Sequence, residues 1–254
     1  MGFDAAAIAA RMTIGADKFG PGFPRDLTAI APFTLPVSII TRARLTTYDV
    51  VDTVATAIGR DLRFLKKRRL RGCLVAHAGS GMIFLDEDDA DQVRFAGGHE
   101  LAHFVGHYLN RRELAIARLG AGIVEVLDGQ REPVPEERLA GILADCRLGT
   151  FTDVMEREDG VPLNAAAEAM EYEADEAAFL ALAPIGPVIA RTIDRTGTVE
   201  RVAVTRCLAE EFGLSHADAR RHAPRIVAAA SRNRPSLIDL LRAAASENAA
   251  DRHI

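Results

Sequence analysis

The sequence predicts an α+β fold: a small sheet packed with helices, followed by a mostly helical C-terminal region. Three observations predict it. Two short apolar runs, Gly72-Cys73-Leu74-Val75-Ala76 and Met82-Ile83-Phe84-Leu85, flank Gly79-Ser80-Gly81 and read as a β-hairpin. Leu101, Val105 and Tyr108 recur at i, i+4 and i+7, the apolar stripe of a core-facing helix. Asn164 can cap a long helix from Ala165 to about Ala183, which Pro184, Gly186 and Pro187 end, and helix continues from there.

Taken in order, Met1 to Pro36 starts as an Ala-rich helix. It then becomes a loop punctuated by Pro21, Pro24, Pro32 and Pro36, laid as an extension over the main domain. Thr47 to Ile58 reads as a helix capped by Thr47 and stopped by Gly59. The hairpin follows, and the acidic residues of Asp86 to Asp91 cap the next helix, Ala90 to about Leu109. Arg111 to Leu127 forms one or two helical pieces broken near Gly120 or Gly122. Pro135 opens a helix through about Asp145. Beyond the long helix the chain stays helical to a frayed tail from Ala249. The expected organisation is an N-terminal extension (1–36), a main domain (37–190) and a helical C-terminal region (191–254).

A chain of 254 residues can bury one sizeable core, and 48% hydrophobic and 26% charged residues suit a globular protein. No apolar run approaches the roughly 20 residues of a membrane span. Met1 to Arg11 lacks the basic and apolar regions of a secretory signal. Cys73, Cys146 and Cys207 are odd in number and form no C-x-x-C pair. A cytoplasmic protein with reduced, inert thiols and no membrane partner is expected. The net charge of −5 is uneven: residues 1–71 and 186–254 are net basic, and 72–185 are strongly acidic. That acidic middle favours a cation or a basic peptide. The basic run Arg63 to Arg71 is more readily a solvated strand edge or loop than a nucleic-acid contact.

The chemistry sits in Gly98-His99-Glu100-Leu101-Ala102-His103, an H-E-x-x-H run inside the acidic middle. Residues four apart share a helix face, so His99 and His103 can place two ring nitrogens on one zinc ion. Glu100 lies about 100° round the helix, suited to taking a proton from water rather than to acting as an equal ligand. This is a zincin-like arrangement, an active-site helix beside a small sheet. His107 continues the histidine row and lines the cleft or bonds behind a ligand. Tyr108, Tyr172 and His107 are candidates for stabilising an oxyanion.

A third ligand has two sequence solutions. The extension H-E-x-x-H-x-x-G-x-x-H finds Gly106 but has Leu109 where histidine is required. The stretch Glu171-Tyr172-Glu173-Ala174-Asp175 supplies a carboxylate instead. Glu171 and Asp175 are one turn apart, so Glu171 can bind the metal while Asp175 accepts the free N–H of a ligating histidine. Glu173 then faces elsewhere, although exchanging the roles of Glu171 and Glu173 remains an alternative. Small Ala174 and Ala178 would let this helix approach Gly97-Gly98 closely.

With both segments in place, the chain resembles the ImmA/IrrE-type metallo-endopeptidases. The resemblance rests on Gly98 to Phe104 and on Glu171 to Asp175 running through Leu182-Ala183-Pro184. The preceding hairpin, the acidic Asp86 to Asp91 and Arg94-Phe95 also match, and together they span roughly residues 45–190. The gap from His103 to Glu171 is longer than in compact members, and Ala177 stands where an aromatic is usual. The resemblance implies a zinc-dependent endopeptidase that cleaves a regulatory protein such as a helix-turn-helix repressor, in stress response or transcription regulation. In that reading Met82 to Leu85 is the edge strand on which an extended substrate docks.

The C-terminal stretch Leu208 to Ala219 has a helix-turn-helix cadence, and Arg220, Arg221 and Arg225 could contact phosphates. The alternative reading is therefore a DNA- or partner-binding regulator whose metal site is structural or vestigial.

Overall fold

A computed structural model describes residues 4–19, 22–59, 67–88, 90–144, 146, 148, 157–158, 161–162, 164–194 and 197–232. Arg63 to Lys66 of the basic run and the tail from Ala249 lie outside them. The fold is α+β, with helices around a three-stranded sheet.

Helix α1 (Ala5–Met12) starts at Asp4, whose carboxylate accepts from Ala6 N–H, and buries Ile8 and Met12 completely. Helix α2 (Leu27–Thr34) occupies part of the expected loop, with Asp26 accepting from Thr28 and Ala29 N–H. Proline in a helix interior costs about 3 kcal/mol. Burial of Leu27 and Ile30, at roughly 1.5–3 kcal/mol each, outweighs Pro32. The segment is therefore part of the core and not an overlay.

Strand β1 (Val37–Arg42) leads to α3 (Thr47–Ile58). The cap of α3 is Thr46, one residue earlier than expected, in a reciprocal box with Asp49; Gly59 at φ 64° ends the helix. Thr47 is buried instead, its hydroxyl accepting from Arg68 N–H. Strands β2 (Gly72–His77) and β3 (Ser80–Asp86) form the hairpin, with Leu74 opposite Ile83. The turn uses Ala78 and Gly79 at φ 49° and 82°, the doubly left-handed geometry that matches strand twist.

Strand β1 pairs in parallel with the other side of β3, Ile39 opposite Ile83, so the order is β1-β3-β2. The strand containing Met82 to Leu85 is thus central, and the expectation that it forms the edge beside the cleft is incorrect. The β-branched run Val37-Ser38-Ile39-Ile40-Thr41, unassigned in the sequence reading, claims that side. Strand β2 holds the other edge of the sheet.

Helix α4 (Ala90–Ala102) passes without a break into a π-helical stretch, His103–Leu109, and then into α5 (Asn110–Leu119). This rod outlasts the helix expected to stop near Leu109. Asp86 does not cap it. The Asp86 carboxylate is buried and accepts from Arg44 N–H, Asp88 N–H and Arg69 Nε. Helices α6 (Val124–Leu127) and α7 (Pro135–Leu143) follow. Ala115, Ile123, Val126 and Leu127 make a small separate cluster there. A two-residue ribbon, β4 (Arg157–Glu158) with β5 (Val161–Pro162), precedes α8 (Ala165–Leu182), capped by Asn164 as expected. Pro184 ends α8. Pro187 falls in the first turn of α9 (Ile185–Thr192), where no backbone donor is needed. Helices α10 (Arg201–Glu210) and α11 (His216–Arg232) complete the described chain.

One hydrophobic core runs from Ile8 and Met12 through Leu101, Phe104 and Val105 to Leu182, Leu208, Phe212 and Ile226. The rod lies between the sheet and α8. A Cβ on Gly98 would meet Ala178 Cβ at 3.5 Å and Leu182 Cδ1 at 3.4 Å, so α8 packs closely at Gly98. Gly97 serves a different neighbour, Thr28, whose Cγ2 leaves no room for an added Cβ. No described helix is long and apolar enough to cross a membrane.

Candidate metal centre

Helix α4 and the start of the π stretch supply His99, Glu100 and His103, and α8 supplies Glu171, Glu173 and Asp175. The two helices meet through Gly98 and the fully buried Ala174 and Ala178. Small residues at the crossing bring the backbones near enough for polar side chains on its flanks to converge.

His99 Nε2 and His103 Nε2 lie 3.0 Å apart. Glu171 reaches them with Oε2 at 3.5 Å from His99 Nε2 and Oε1 at 3.6 Å from His103 Nε2. One donor atom from each of the three falls within 4.8 Å of the others, a possible metal-binding triad.

Each imidazole is held from behind. Asp175 Oδ1 lies 2.8 Å from His99 Nδ1, and a carboxylate only accepts, so Nδ1 carries the proton and Nε2 faces the triad. Asp175 is anchored on its other oxygen by Arg221 Nη1 at 2.9 Å. Burial works against its ionisation. The His99 hydrogen bond, His99 charge and Arg221 outweigh that and hold Asp175 below the usual carboxylate range. His103 Nδ1 lies 2.8 Å from His107 Nδ1, and His107 Nε2 lies 3.2 Å from Glu173 Oε2.

The two rings are pushed in opposite directions. Burial opposes charge on His99, but the Asp175 and Glu171 hydrogen bonds and the nearby Glu100 and Glu171 charges raise it to about 10. Burial, with repulsion from His99 and His107, lowers His103 to about 3 despite Glu171. The two-nitrogen, one-oxygen donor set fits a divalent ion in that place.

Glu100 and the triad open on a cleft of about 460 Å³. Its walls include Arg68 to Leu74 of the β2 edge, Phe95 of α4, and Asp218 and Arg221 of α11. Glu100 lies against the start of β2: a Cβ on Gly72 would come 2.8 Å from Glu100 Oε1.

The structure thus brings His99, Glu100, His103, Glu171 and Asp175 together. It corrects the three cleft candidates. His107 does not line the cleft; it is fully buried and bonds behind His103, the other place the sequence allowed it. Tyr108 is buried with its hydroxyl accepting from Gly79 N–H at 2.6 Å, which ties the rod to the hairpin turn. Tyr172 is exposed and hydrogen-bonded to Arg225, away from the lining. The expectation that Glu173 faces elsewhere is also incorrect. Residues two apart differ by about 200° on a helix. The buried contact line through Ala174 lies between them, so both glutamates reach the rod. The sequence signal for Glu173 was His107, one turn beyond His103.

No sequence signal pointed to Arg221 or Gly72 at this site, because their places there depend on long-range docking. Of the arginines read as phosphate contacts, Arg221 pairs with Asp175 and Asp218, and Arg225 with Glu176. Cys73 and Cys207 are buried and all three cysteines are free. No protein-family model matches the chain, and no curated protein matches it.

Proposed function

We propose that this chain is a zinc-dependent endopeptidase. The observation that carries the reading is the convergence of His99 Nε2, His103 Nε2 and the Glu171 carboxylate at a cleft that Glu100 also lines. His99, His103 and Glu171 would hold the ion. Zinc bound there supplies a Lewis acid that polarises a carbonyl and makes water acidic. Glu100 accepts the proton from the attacking water and returns it to the amine nitrogen as the peptide bond breaks. Asp175 fixes the His99 ring through Nδ1, and Gly72 leaves room for the Glu100 carboxylate.

Strand β2 has one strand neighbour among the described residues, β3, and its start lines the cleft. An extended protein segment can add along its open side and cross the site. The resemblance to ImmA/IrrE-type proteins makes a cytoplasmic regulatory protein, such as a helix-turn-helix repressor, the preferred substrate in this proposal.

Three ligands favour catalysis over a structural site. A structural zinc is closed by four protein ligands, whereas among the described residues this cluster has three members. The test is metal analysis and peptide cleavage by the native chain and Glu100→Gln. About one zinc per chain is expected in both proteins. Cleavage should fall by about 10²–10⁴-fold in the variant, the usual contribution of a positioned base. A native chain without zinc, or a Glu100→Gln variant that cleaves normally, refutes the proposal.

A further inference from the structure

We propose that Glu173 and His107 act as a positioning pair that holds His103 in its metal-binding tautomer. The inference rests on the metal reading above. His107 is fully buried, yet both of its ring nitrogens are engaged, Nδ1 by His103 and Nε2 by Glu173.

Two imidazoles sharing a hydrogen bond through their Nδ1 atoms need one donor and one acceptor. Nothing in the pair itself decides which ring donates, and Glu173 supplies the decision. Its carboxylate accepts, so His107 carries its proton on Nε2. Neutral His107 then has only a lone pair on Nδ1, and His103 must donate from its own Nδ1. His103 Nε2 is left bare, facing His99 Nε2 and Glu171. In the reverse arrangement His103 would carry a proton on Nε2, where it occupies the ligand position. Asp175 performs the same task for His99 directly, at 2.8 Å. The two ligands are thus set from one helix, His99 by one carboxylate and His103 by a carboxylate acting through a second histidine.

A packing role alone would predict that any side chain filling the His107 volume suffices. The proposal predicts that an acceptor at Nδ1 is needed. Zinc affinity is measured on metal-free protein by competition with a chromophoric chelator. His107→Phe, which keeps volume and loses both hydrogen bonds, should weaken zinc about 10–100-fold. His107→Asn, whose Oδ1 can stand where Nδ1 does, should recover most of that loss. Glu173→Leu, which removes the acceptor at Nε2, should show a smaller loss, within about tenfold. In parallel, nitrogen NMR of histidine-labelled, metal-free protein should show His103 protonated at Nδ1 in the native chain and a tautomer mixture in Glu173→Leu.

Equal affinity in His107→Phe and the native chain, or equal loss in the Phe and Asn variants, overturns the proposal. An unchanged tautomer in Glu173→Leu, which has no acceptor, does so as well. Should His107→Phe fail to fold, Glu173→Leu alters a side chain that reaches solvent and carries the test alone. A native chain that binds no zinc would sink the metal reading, and the nitrogen spectrum would still judge the hydrogen-bond chain separately.

Discussion

On the proposed function, replacing Gly72 with alanine should disable Glu100 while leaving the protein folded and metal-competent. An alanine Cβ would lie 2.8 Å from Glu100 Oε1, 3.0 Å from Cγ and 3.3 Å from Cδ. Comfortable carbon contacts lie near 3.5–4.0 Å, so Cγ must retreat by about 0.5 Å and the carboxylate with it. The backbone at Gly72 is outside the left-handed region, so alanine is not strained there. The obstacle is the end of a flexible side chain, and its small cost is offset by the roughly 0.4–1 kcal/mol that alanine gains over glycine through the unfolded state. Stability should therefore stay within about 1 kcal/mol.

Activity should not survive intact. Misplacement of a reacting group by about 1 Å can cost about 10²-fold, so half of that displacement implies roughly a tenfold loss, or about 1.4 kcal/mol of barrier. The assay compares cleavage of a quenched fluorescent peptide pool, zinc content and melting temperature in the two proteins. Full activity in a folded Gly72→Ala protein would refute Glu100 as a base whose position matters. Lost zinc would show that Gly72 supports the donors and not the base.

Two further outcomes are expected. Asp175→Ala should weaken zinc about 10–100-fold by releasing His99 Nδ1, measured by chelator competition; unchanged affinity would remove Asp175 from the site. Burial, with Arg225 and Arg221 adding repulsion against help from the Ala183 backbone, lowers His222 from 6.5 to about 4. The folded chain keeps His222 neutral while the unfolded chain takes up a proton. The stability it contributes is thus present above pH 6.5 and lost as pH falls from 6.5 to 4, up to roughly 3 kcal/mol. Denaturant unfolding across that window should be flatter in His222→Phe, and identical slopes would refute the assignment.

The parts legible in the sequence were those fixed by local pattern. The H-E-x-x-H spacing and the Glu171/Asp175 turn needed only helical periodicity to bring their side chains to common faces. The hairpin and the Asn164 cap needed only turn and cap chemistry. What the sequence withheld depended on partners far along the chain. Strand β1 was hidden because a β-branched run does not announce that it will pair in parallel with β3 and displace it from the edge. Pro32 read as a loop because the burial of Leu27 and Ile30 is a tertiary fact. Gly97 and Gly98 looked like one contact surface, yet one faces α2 and the other α8. The destination of Glu173 followed from where α8 crosses the rod, which no helical wheel of α8 alone contains.

The Asp175–Arg221 contact joins residues 46 positions apart, and this separation sets an order of completion during synthesis. By the time Asp175 has been made, His99, Glu100, His103 and Glu171 already exist. Arg221 and Asp218, which wall the cleft, do not. At translation speeds of about 5–20 residues per second, the interval is on the order of several seconds. A nascent chain therefore possesses its whole donor set before it possesses the wall that would press a substrate against it. On the proposed function, the metal can be acquired in that interval, and the ability to engage a neighbouring protein arrives only with the last described helix.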